Sequence, residues 1–394
     1  MNYSEKNVKL LLFLTAYKEK IEKSKFLCDI ETVLNLTDYT IHTSKEDLIH
    51  IFRINHPKLN VTDNQAYIAS IAAGLMKAEG YYIPEPVLQL IAKHSVVHDK
   101  SLITDNPYFQ TVHIDKKYKQ GDFILRNRVC CRNGIMTYDC RRKSVFDEND
   151  CLYLGCFEED ISVPVLAQGD MTYMSITPNE IYTMQKDIDQ ATGKVLTLGL
   201  GLGYYAFMVA RKSDVESVTV VELSDDVIDL YNNYIAIQFP EEVRNKIHIV
   251  HSDAYNYLST LEDGVFDYCF ADIWVGPSEL GLYLKMCRYA KFKQMKMGYW
   301  IEQTMIGILY QLIFTYLSFM IQYKIKGGSL NEVMELLKDI LKDYKSPNND
   351  EIYEQEMLNF DEQFRNYFKT HSFTYKGLNH LFTDDGMKEL LYNL

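Results

Sequence analysis

The sequence predicts an α/β protein built around a doubly wound, mostly parallel sheet. One observation is a strand-like run, Lys194 to Leu198, that leads into three alternating glycines and a helix-compatible segment from Tyr204. The other is the alternation of strand and helix patterns that continues to about residue 302. Such alternation is typical of a parallel sheet with helices on both faces, which is a Rossmann-like architecture.

The strands of this sheet are read from buried apolar runs, and the helices from longer amphipathic segments between them. After the glycines, the predicted strands are Val218 to Glu222, Ile247 to His251, Phe266 to Asp272 and Tyr299 to Glu302. The predicted helices are Asp225 to Phe239, Tyr255 to Leu261 and Gly281 to Lys291.

Two other patterns precede the glycine turn. Helical periodicity dominates the first hundred residues and includes a capping-box pattern from Thr62 to Gln65. Period-two alternation between turn residues follows and predicts a small antiparallel β unit. We therefore predict an N-terminal helical domain, the β unit, the Rossmann-like sheet domain and a C-terminal helical extension, at residues 1–104, 105–176, 177–325 and 326–394.

The net charge and one apolar segment indicate which kinds of partner this chain is expected to bind. The 394 residues are 47% apolar and 24% charged, and their net charge is −13, which disfavours a nucleic-acid partner because it repels phosphates. Residues 303–323 carry no charge and could span a bilayer, but six Gln, Thr and Ser residues favour a buried helix or a dimer surface. We expect a small-molecule substrate, no membrane partner and, on this apolar helix, a surface for a homodimer.

The cysteines do not indicate a metal site. Five of the eight lie between residues 130 and 156, without C-x-x-C spacing and without a histidine among them. The first residues show no signal-peptide cleavage pattern. We expect reduced thiols and a cytoplasmic location.

Acidic residues end three successive predicted strands. Ligands of open α/β sheets bind at this edge, so these acids should converge beside the glycine turn. Glu222 lies about twenty residues beyond the glycines, where a carboxylate can accept both ribose hydroxyls. Asp253 with the small Ala254 suits a purine amine, and Asp272 should face the reacting end of the ligand. The alternative is that each acid only caps the helix that follows it.

Two cofactor classes fit the glycine turn. The run from Gly201 to Ala206 matches the G-x-G-x-x-A fingerprint of dinucleotide binding, with Glu222 on the ribose of NAD. The alternating glycines extend upstream to Gly199, however, beyond this fingerprint. Binding of NAD also requires nothing of the Asp253-Ala254 pair. The fuller pattern, over about residues 190–305, resembles the class I S-adenosylmethionine-dependent methyltransferases.

This resemblance implies bound S-adenosylmethionine whose methyl group passes to a small acceptor. It implies as cofactor-binding residues Thr197, Gly199, Leu200, Gly201, Gly203, Tyr204, Glu222, Leu223, Asp253, Ala254 and Asp272. Asp272 is also the candidate catalytic residue, and Trp274, Tyr173 and Glu302 are candidate substrate contacts. Thr197 stands where the family usually has an acid, so a hydroxyl would contact the methionine end.

A narrower resemblance is to the spermidine synthases. The order of a β hairpin, a Thr177-Pro178-Asn179-Glu180 helix start, the glycine strand and the run from Asp272 to Pro277 is similar to their layout. That family transfers an aminopropyl group from decarboxylated S-adenosylmethionine, and a second Asp in the loop after the fourth strand deprotonates the amine. Here the loop has Ile273, Trp274 and Val275 instead. Methyl transfer is the main prediction; aminopropyl transfer and a non-catalytic adenosyl-binding scaffold are the alternatives.

Overall fold

The computed structural model describes residues 26–27, 30, 34, 41–139, 152–169, 171–276, 279–287, 289, 292–302 and 304–305. The predicted extension at 326–394 and most of the apolar segment at 303–323 lie outside these residues, and so do Cys28, Cys140 and Cys151. Within the described ranges, no helix combines the length and apolar composition that crossing a membrane requires.

From residue 41 onward, the described N-terminal part contains the helices α1 (Lys45–Asn55), α2 (Asp63–Ala78) and α3 (Glu85–Lys93). The predicted capping box at the start of α2 is confirmed. Thr62 accepts a hydrogen bond from the Gln65 backbone N–H, and the Gln65 side chain accepts one from the Thr62 N–H. Both bonds satisfy N–H groups that a helix start otherwise leaves unpaired.

A mixed segment connects these helices to the parallel sheet. Its elements are β1 (Ser95–Val97), α4 (Ser101–Thr104), α5 (Pro107–Thr111), β2 (Tyr118–Gln120), β3 (Phe123–Cys130), β4 (Met136–Asp139), β5 (Leu152–Cys156), β6 (Ile161–Gln168) and β7 (Met171–Ser175). Strands β2, β3, β6 and β7 form an antiparallel sheet in that order, but β4 and β5 join β1 in a separate sheet. The strands of the predicted β unit are therefore divided between two sheets, because Leu154 and Cys156 are buried in the hydrophobic core of the N-terminal helices.

The remaining elements alternate as predicted. They are α6 (Pro178–Gln190), β8 (Gly193–Leu198), α7 (Tyr204–Ala210), β9 (Val215–Glu222), α8 (Asp225–Leu230), α9 (Glu241–Arg244), β10 (Ile247–His251), α10 (Ala254–Thr260), β11 (Tyr268–Ala271), α11 (Leu280–Cys287) and β12 (Lys296–Tyr299). A π-helical turn, Tyr231–Ile235, and a short 3₁₀ turn, Ala236–Gln238, extend α8 across most of the single helix predicted there.

The five strands from β8 to β12 form one all-parallel sheet, which confirms the predicted fold class. Their order is β10-β9-β8-β11-β12. The chain therefore winds outward in one direction from β8 and then crosses to the other side at β11. This reversal between β8 and β11 opens a crevice at the carboxyl ends of the strands, where ligands of such sheets bind.

The last strand lies three residues earlier in the chain than the sequence pattern predicts. Strand β12 pairs with β11 from Lys296 opposite Tyr268 to Tyr299 opposite Ala271. It cannot continue through Ile301, whose φ of 48° is left-handed and ends the extended backbone. The predicted strand from Tyr299 to Glu302 was therefore wrong in register, and Glu302 follows the sheet rather than ending a strand.

Candidate functional site

A cavity of about 300 Å³ lies at the reversal point of the parallel sheet. Residues that follow four successive strands line it, and the β7 hairpin and the start of α6 cover one side. Of the predicted site residues, those on its wall are Gly199, Leu200, Gly201, Glu222, Leu223, Asp253, Ala254, Asp272, Trp274 and Tyr173. The structure thus brings together side chains that are about a hundred positions apart in the sequence.

The three glycines after β8 all have left-handed backbone angles, with φ of 100°, 51° and 71° at Gly199, Gly201 and Gly203. A side chain on Gly199 would collide with the Asp272 carbonyl oxygen, and one on Gly201 would collide with the Met174 sulfur. The protein's own packing therefore requires these glycines, in addition to any ligand that uses the loop. Gly199 and Gly201 still contribute backbone to the cavity wall.

Glu222 joins the glycine loop to the end of β9. Its Oε2 accepts a hydrogen bond from the Leu200 N–H at 2.9 Å, and its Oε1 accepts from the N–H groups of Leu223 and Ser224. Ser224, not Glu222, caps α8, because the Ser224 hydroxyl accepts from the Val227 N–H. Oε2 accepts only one of these three bonds, so it keeps a lone pair that a ribose hydroxyl could use.

Asp253 does cap a helix. Its Oδ1 accepts a hydrogen bond from the Asn256 N–H at 2.9 Å at the start of α10. Capping and ligand binding are compatible here, since Asp253 and Ala254 also line the cavity between Ser252 and Tyr255.

Asp272 and Glu180 are carboxyls in an environment that disfavours their charge. Burial and the nearby Glu222 raise the pKa of Asp272 to about 8. Burial and the negative charge of Asp272 hold the pKa of Glu180 well above its usual value. Burial and the negative charges of Glu222, Asp272 and Glu279 raise the pKa of Tyr173 to about 12, so its phenol stays neutral at physiological pH. A positively charged ligand would relieve this repulsion.

Among the described residues, the charged side chains on the cavity wall are all acidic. Four carboxyls line it, at Glu180, Glu222, Asp253 and Asp272. No Lys, Arg or His is found among the described residues on this wall. The same part of the chain also shows no cluster of acids, histidines or cysteines arranged to hold a metal ion.

Two tryptophans fix the far wall. The Trp274 indole is 4% exposed, and its Nε1–H donates to the Trp300 carbonyl oxygen at 3.2 Å. The Trp300 Nε1–H in turn donates to the Thr183 hydroxyl at 2.9 Å. Both indole N–H groups are thus hydrogen-bonded, and both tryptophans line the cavity. A ring face turned toward the cavity would attract a cation.

Four predicted site residues are not on the cavity wall. Thr197 is buried within β8, two residues short of its turn, opposite Val220 and Phe270. A side chain at Gly203 would meet the Tyr231 ring, so this glycine serves the packing of two helices.

The other two are Tyr204 and Glu302. The Tyr204 hydroxyl accepts from the Asn106 amide at 3.1 Å, and its ring packs against Tyr108. Glu302 lines a second, smaller cavity and accepts a hydrogen bond from the Tyr283 hydroxyl. None of these four residues lines the cavity, so their direct contact with a ligand stays a prediction.

Sequence reasoning missed some of the cavity wall. Met174, Glu180, Ser252, Tyr255, Ile273 and Trp300 line it but were not assigned to the site. The position of Ser252 directly before Asp253 was a signal that could have found it. Glu180 belongs to the predicted helix start at Thr177, and the Thr177 side chain makes no cap bond in the structure.

Comparison with known proteins agrees with this geometry. Residues 174–298, about a third of the chain, match the family model described as the spermine/spermidine synthase domain. This part of the chain is similar to the spermine/spermidine synthase domain. The predicted resemblance is thereby confirmed for the segment that carries the glycine turn and the three strand-end acids. No curated protein matches the sequence.

The chain also matches solved structures of spermidine synthases and of a putative O-methyltransferase at low identity. A probable spermidine synthase from Corynebacterium glutamicum is 15% identical, with a TM-score of 0.28 over 45% of this chain and 59% of that one. A spermidine synthase from Thermotoga maritima is 18% identical, with a TM-score of 0.27 over 35% and 50%. A putative O-methyltransferase from Klebsiella pneumoniae is 16% identical, with a TM-score of 0.24 over 35% and 67%. The present chain thus spans between half and three-fifths of these two spermidine synthases.

The raised pKa of Asp272 predicts that the ligand-free protein loses stability as the pH rises from 5 to 8. The folded state keeps a proton on this carboxyl up to about pH 8, whereas the unfolded chain releases it near pH 3.8. Folding therefore binds protons in this window, and stability falls with increasing pH. Thermal midpoints measured from pH 5 to 8 should fall less steeply in Asp272→Asn than in the wild type. The exposed Asp214→Asn variant is the control, and equal slopes in all three proteins would contradict the assignment.

Proposed function

We propose that the chain is a transferase that binds an adenosyl sulfonium compound, S-adenosylmethionine or its decarboxylated form, and passes a carbon group to a small acceptor. One observation carries the proposal: four carboxyls and no cationic side chain, among the described residues, line a cavity beside the glycine turn at the reversal point of a parallel sheet. A sulfonium supplies positive charge where the wall is negative. Glu222 would hold the ribose, and Asp253 with Ala254 the adenine.

The chemistry that such a site performs is an in-line displacement. A lone pair of the acceptor attacks the carbon next to the sulfonium, the carbon–sulfur bond breaks, and its electron pair stays on sulfur as a neutral thioether. The acceptor loses a proton in the process. Because the leaving group is already activated, the residues of this chain contribute mainly by positioning both partners and excluding water. Asp272 and the indole of Trp274 would face the reacting atoms.

Methyl transfer from S-adenosylmethionine is favoured by the loop after β11. Its residues Ile273, Trp274 and Val275 offer no carboxyl to deprotonate an amine, and they line the cavity. A loop of apolar and aromatic residues suits an acceptor that does not have to be deprotonated by the protein before it attacks.

Aminopropyl transfer from decarboxylated S-adenosylmethionine is favoured by the charge on the wall. S-adenosylmethionine carries a carboxylate, and the described residues of the wall include no Lys, Arg or His to bind it. The decarboxylated compound instead carries an amine and a sulfonium, and both would be attracted by the acids.

Ligand binding and product analysis distinguish these possibilities. Thermal shifts should be measured with S-adenosylmethionine, decarboxylated S-adenosylmethionine, S-adenosylhomocysteine, methylthioadenosine and NAD. We expect stabilisation by at least one of the four sulfur compounds and none by NAD. Incubation with each donor and a pool of small amines, acids and phenols, followed by mass spectrometry, then identifies the reaction. S-adenosylhomocysteine as product indicates methyl transfer, methylthioadenosine indicates aminopropyl transfer, and binding without either product indicates a non-catalytic scaffold. Stabilisation by NAD alone would contradict the proposal.

A further inference from the structure

The last residue of β10, His251, contacts an acceptor with each of its two ring nitrogens. Its Nδ1 lies 3.0 Å from Oδ1 of Asp225, the first residue of α8. Its Nε2 lies 2.9 Å from the carbonyl oxygen of Leu223, a residue that lines the cavity. A carboxylate and a carbonyl only accept hydrogen bonds, so both contacts are hydrogen bonds when both ring nitrogens carry a proton. This arrangement is therefore that of a positively charged imidazolium.

The Leu223 carbonyl connects this ring to Glu222, the acid that the proposed function places on the ribose. The carbonyl belongs to the same peptide group as the Ser224 N–H, which donates to Glu222 Oε1 at 2.9 Å. Hydrogen bonds on both sides of one peptide group polarise it and strengthen each other. Glu222 is also the residue opposite His251 in the pairing of β9 with β10. A single peptide group thus separates the proton on His251 Nε2 from the Glu222 carboxylate.

Loss of one proton from His251 breaks this arrangement in either tautomer. If the proton on Nδ1 remains, the lone pair of Nε2 faces the Leu223 carbonyl oxygen. If the proton on Nε2 remains, the lone pair of Nδ1 faces the Asp225 carboxylate. Facing lone pairs repel, so the ring has to turn away from one of its two partners. Histidine is the side chain that ordinarily gains or loses a proton between pH 5 and 8, so this change lies within the physiological range.

We propose that His251 is a positioning residue for ribose binding: its imidazolium form holds the Leu223–Ser224 peptide group against Glu222 and so makes the affinity for an adenosyl ligand depend on pH. This inference rests on the proposed function, in which Glu222 holds the ribose. It goes beyond that function because His251 itself does not line the cavity. Affinity should fall as the pH rises, since the arrangement needs both ring protons.

Other titratable groups lie on the elements around His251. Opposite it on β9 is Glu222, and Asp253 follows two residues later in the chain. Helix α8 carries Asp226 and Asp229 in addition to the aspartate that contacts the ring. Helix α7, which also packs on β10, has no charged residue. The charged side chains on these elements are acids, so none of them in its ionised form can replace His251 as a donor to the carbonyl.

The ring and its carboxylate partner are both exposed, with 51% of the His251 side chain and 76% of the Asp225 side chain accessible to solvent. An exposed ion pair stabilises little and is screened by salt. The expected effect therefore comes from the proton on Nε2 and its contact with Leu223, and it should be several-fold.

The test is calorimetric titration of methylthioadenosine, and of its dideoxy analogue without ribose hydroxyls, into the full-length protein at pH 6.0 and 8.5. The affinity of the wild type for methylthioadenosine should fall by at least about threefold between these pH values. The analogue lacks the groups that Glu222 would bind, so its affinity should change much less. Titration of Asp272 affects wild type and variants alike, and the difference between them reports on His251.

His251→Phe removes both ring donors. It should bind methylthioadenosine at both pH values with the weaker affinity that the wild type has at pH 8.5. The matched control is His248→Phe, which changes an exposed histidine of the same strand and should behave as the wild type does.

Asp225→Asn should remove the pH dependence and keep the tight binding. The amide N–H of this variant can donate to Nδ1 of a neutral ring, and the ring proton then stays on Nε2 for the Leu223 carbonyl. Its affinity for methylthioadenosine at pH 8.5 should therefore equal that of the wild type at pH 6.0. A role of His251 in stability alone would not produce this rescue.

The outcomes separate this inference from the proposed function. A wild type that binds methylthioadenosine with the same pH dependence as His251→Phe overturns the inference alone. An Asp225→Asn variant that loses affinity at pH 8.5 as the wild type does also overturns it. Equal weakening of methylthioadenosine and its dideoxy analogue in His251→Phe does the same, because the effect would then not concern the ribose. Absence of binding to every adenosyl compound overturns both the inference and the proposed function.

Discussion

Replacing Asp272 by asparagine should lower turnover by about 10²–10³-fold while the affinity for methylthioadenosine changes by less than about threefold. Asp272 lies directly after β11, next to the glycine loop, and its backbone N–H donates to the Leu198 carbonyl. This bond does not involve the side chain, so asparagine should keep the local backbone. The adenosyl part would be held by Glu222 and Asp253, which the substitution leaves intact, whereas the reacting end loses the carboxyl whose ionised form a bound cation would favour.

Steady-state kinetics and calorimetry on the same preparations test this prediction. The donor and acceptor are those that the product analysis identifies. Asp214→Asn removes an exposed carboxylate just before β9, at the opposite end of the sheet, and should leave both turnover and binding unchanged. A selective loss of methylthioadenosine binding in Asp272→Asn, with turnover intact at saturation, would show that Asp272 holds the adenosyl group rather than the reacting end.

Replacing Gly199 by alanine should have the largest effect on stability. Its φ of 100° lies where an L-residue is strained, and a Cβ there would collide with the Asp272 carbonyl oxygen. That carbonyl belongs to backbone fixed by the pairing of β11 with β8, so it cannot move away as a flexible side chain would. We expect a loss of roughly 4 kcal/mol or more in the free energy of unfolding, together with loss of ligand binding.

Urea unfolding of Gly199→Ala and Gly80→Ala separates the cost of a left-handed backbone from the cost of the collision with Asp272. Gly80 also has a positive φ, 81°, but a Cβ at that position would meet nothing within 4 Å. Gly80→Ala should therefore lose only roughly 1–2 kcal/mol, the cost of the left-handed backbone itself. Equal losses in the two variants would mean that the contact with Asp272 does not restrict Gly199.

Local patterns in the sequence were sufficient for most elements of the fold. The capping box at Thr62, the glycine turn after β8 and the apolar strand runs each specify their structure within a few residues. The parallel order of the sheet followed from alternating strands and helices. Patterns were less reliable where pairing decides the outcome: β12 starts at Lys296 because its register with β11 sets its bounds.

The sequence by itself determined that Glu222, Asp253 and Asp272 would meet beside the glycines, because the carboxyl ends of parallel strands share one edge. Only the tertiary structure decided what surrounds them. Met174 over Gly201, Glu180 beside Asp272 and Trp300 behind Trp274 come from elements outside the strand ends. Tyr204, next to the glycines in sequence, instead turns toward Asn106. The physical reason is that strand order fixes where backbones end, whereas the packing of neighbouring elements fixes which side chains enter the space between them.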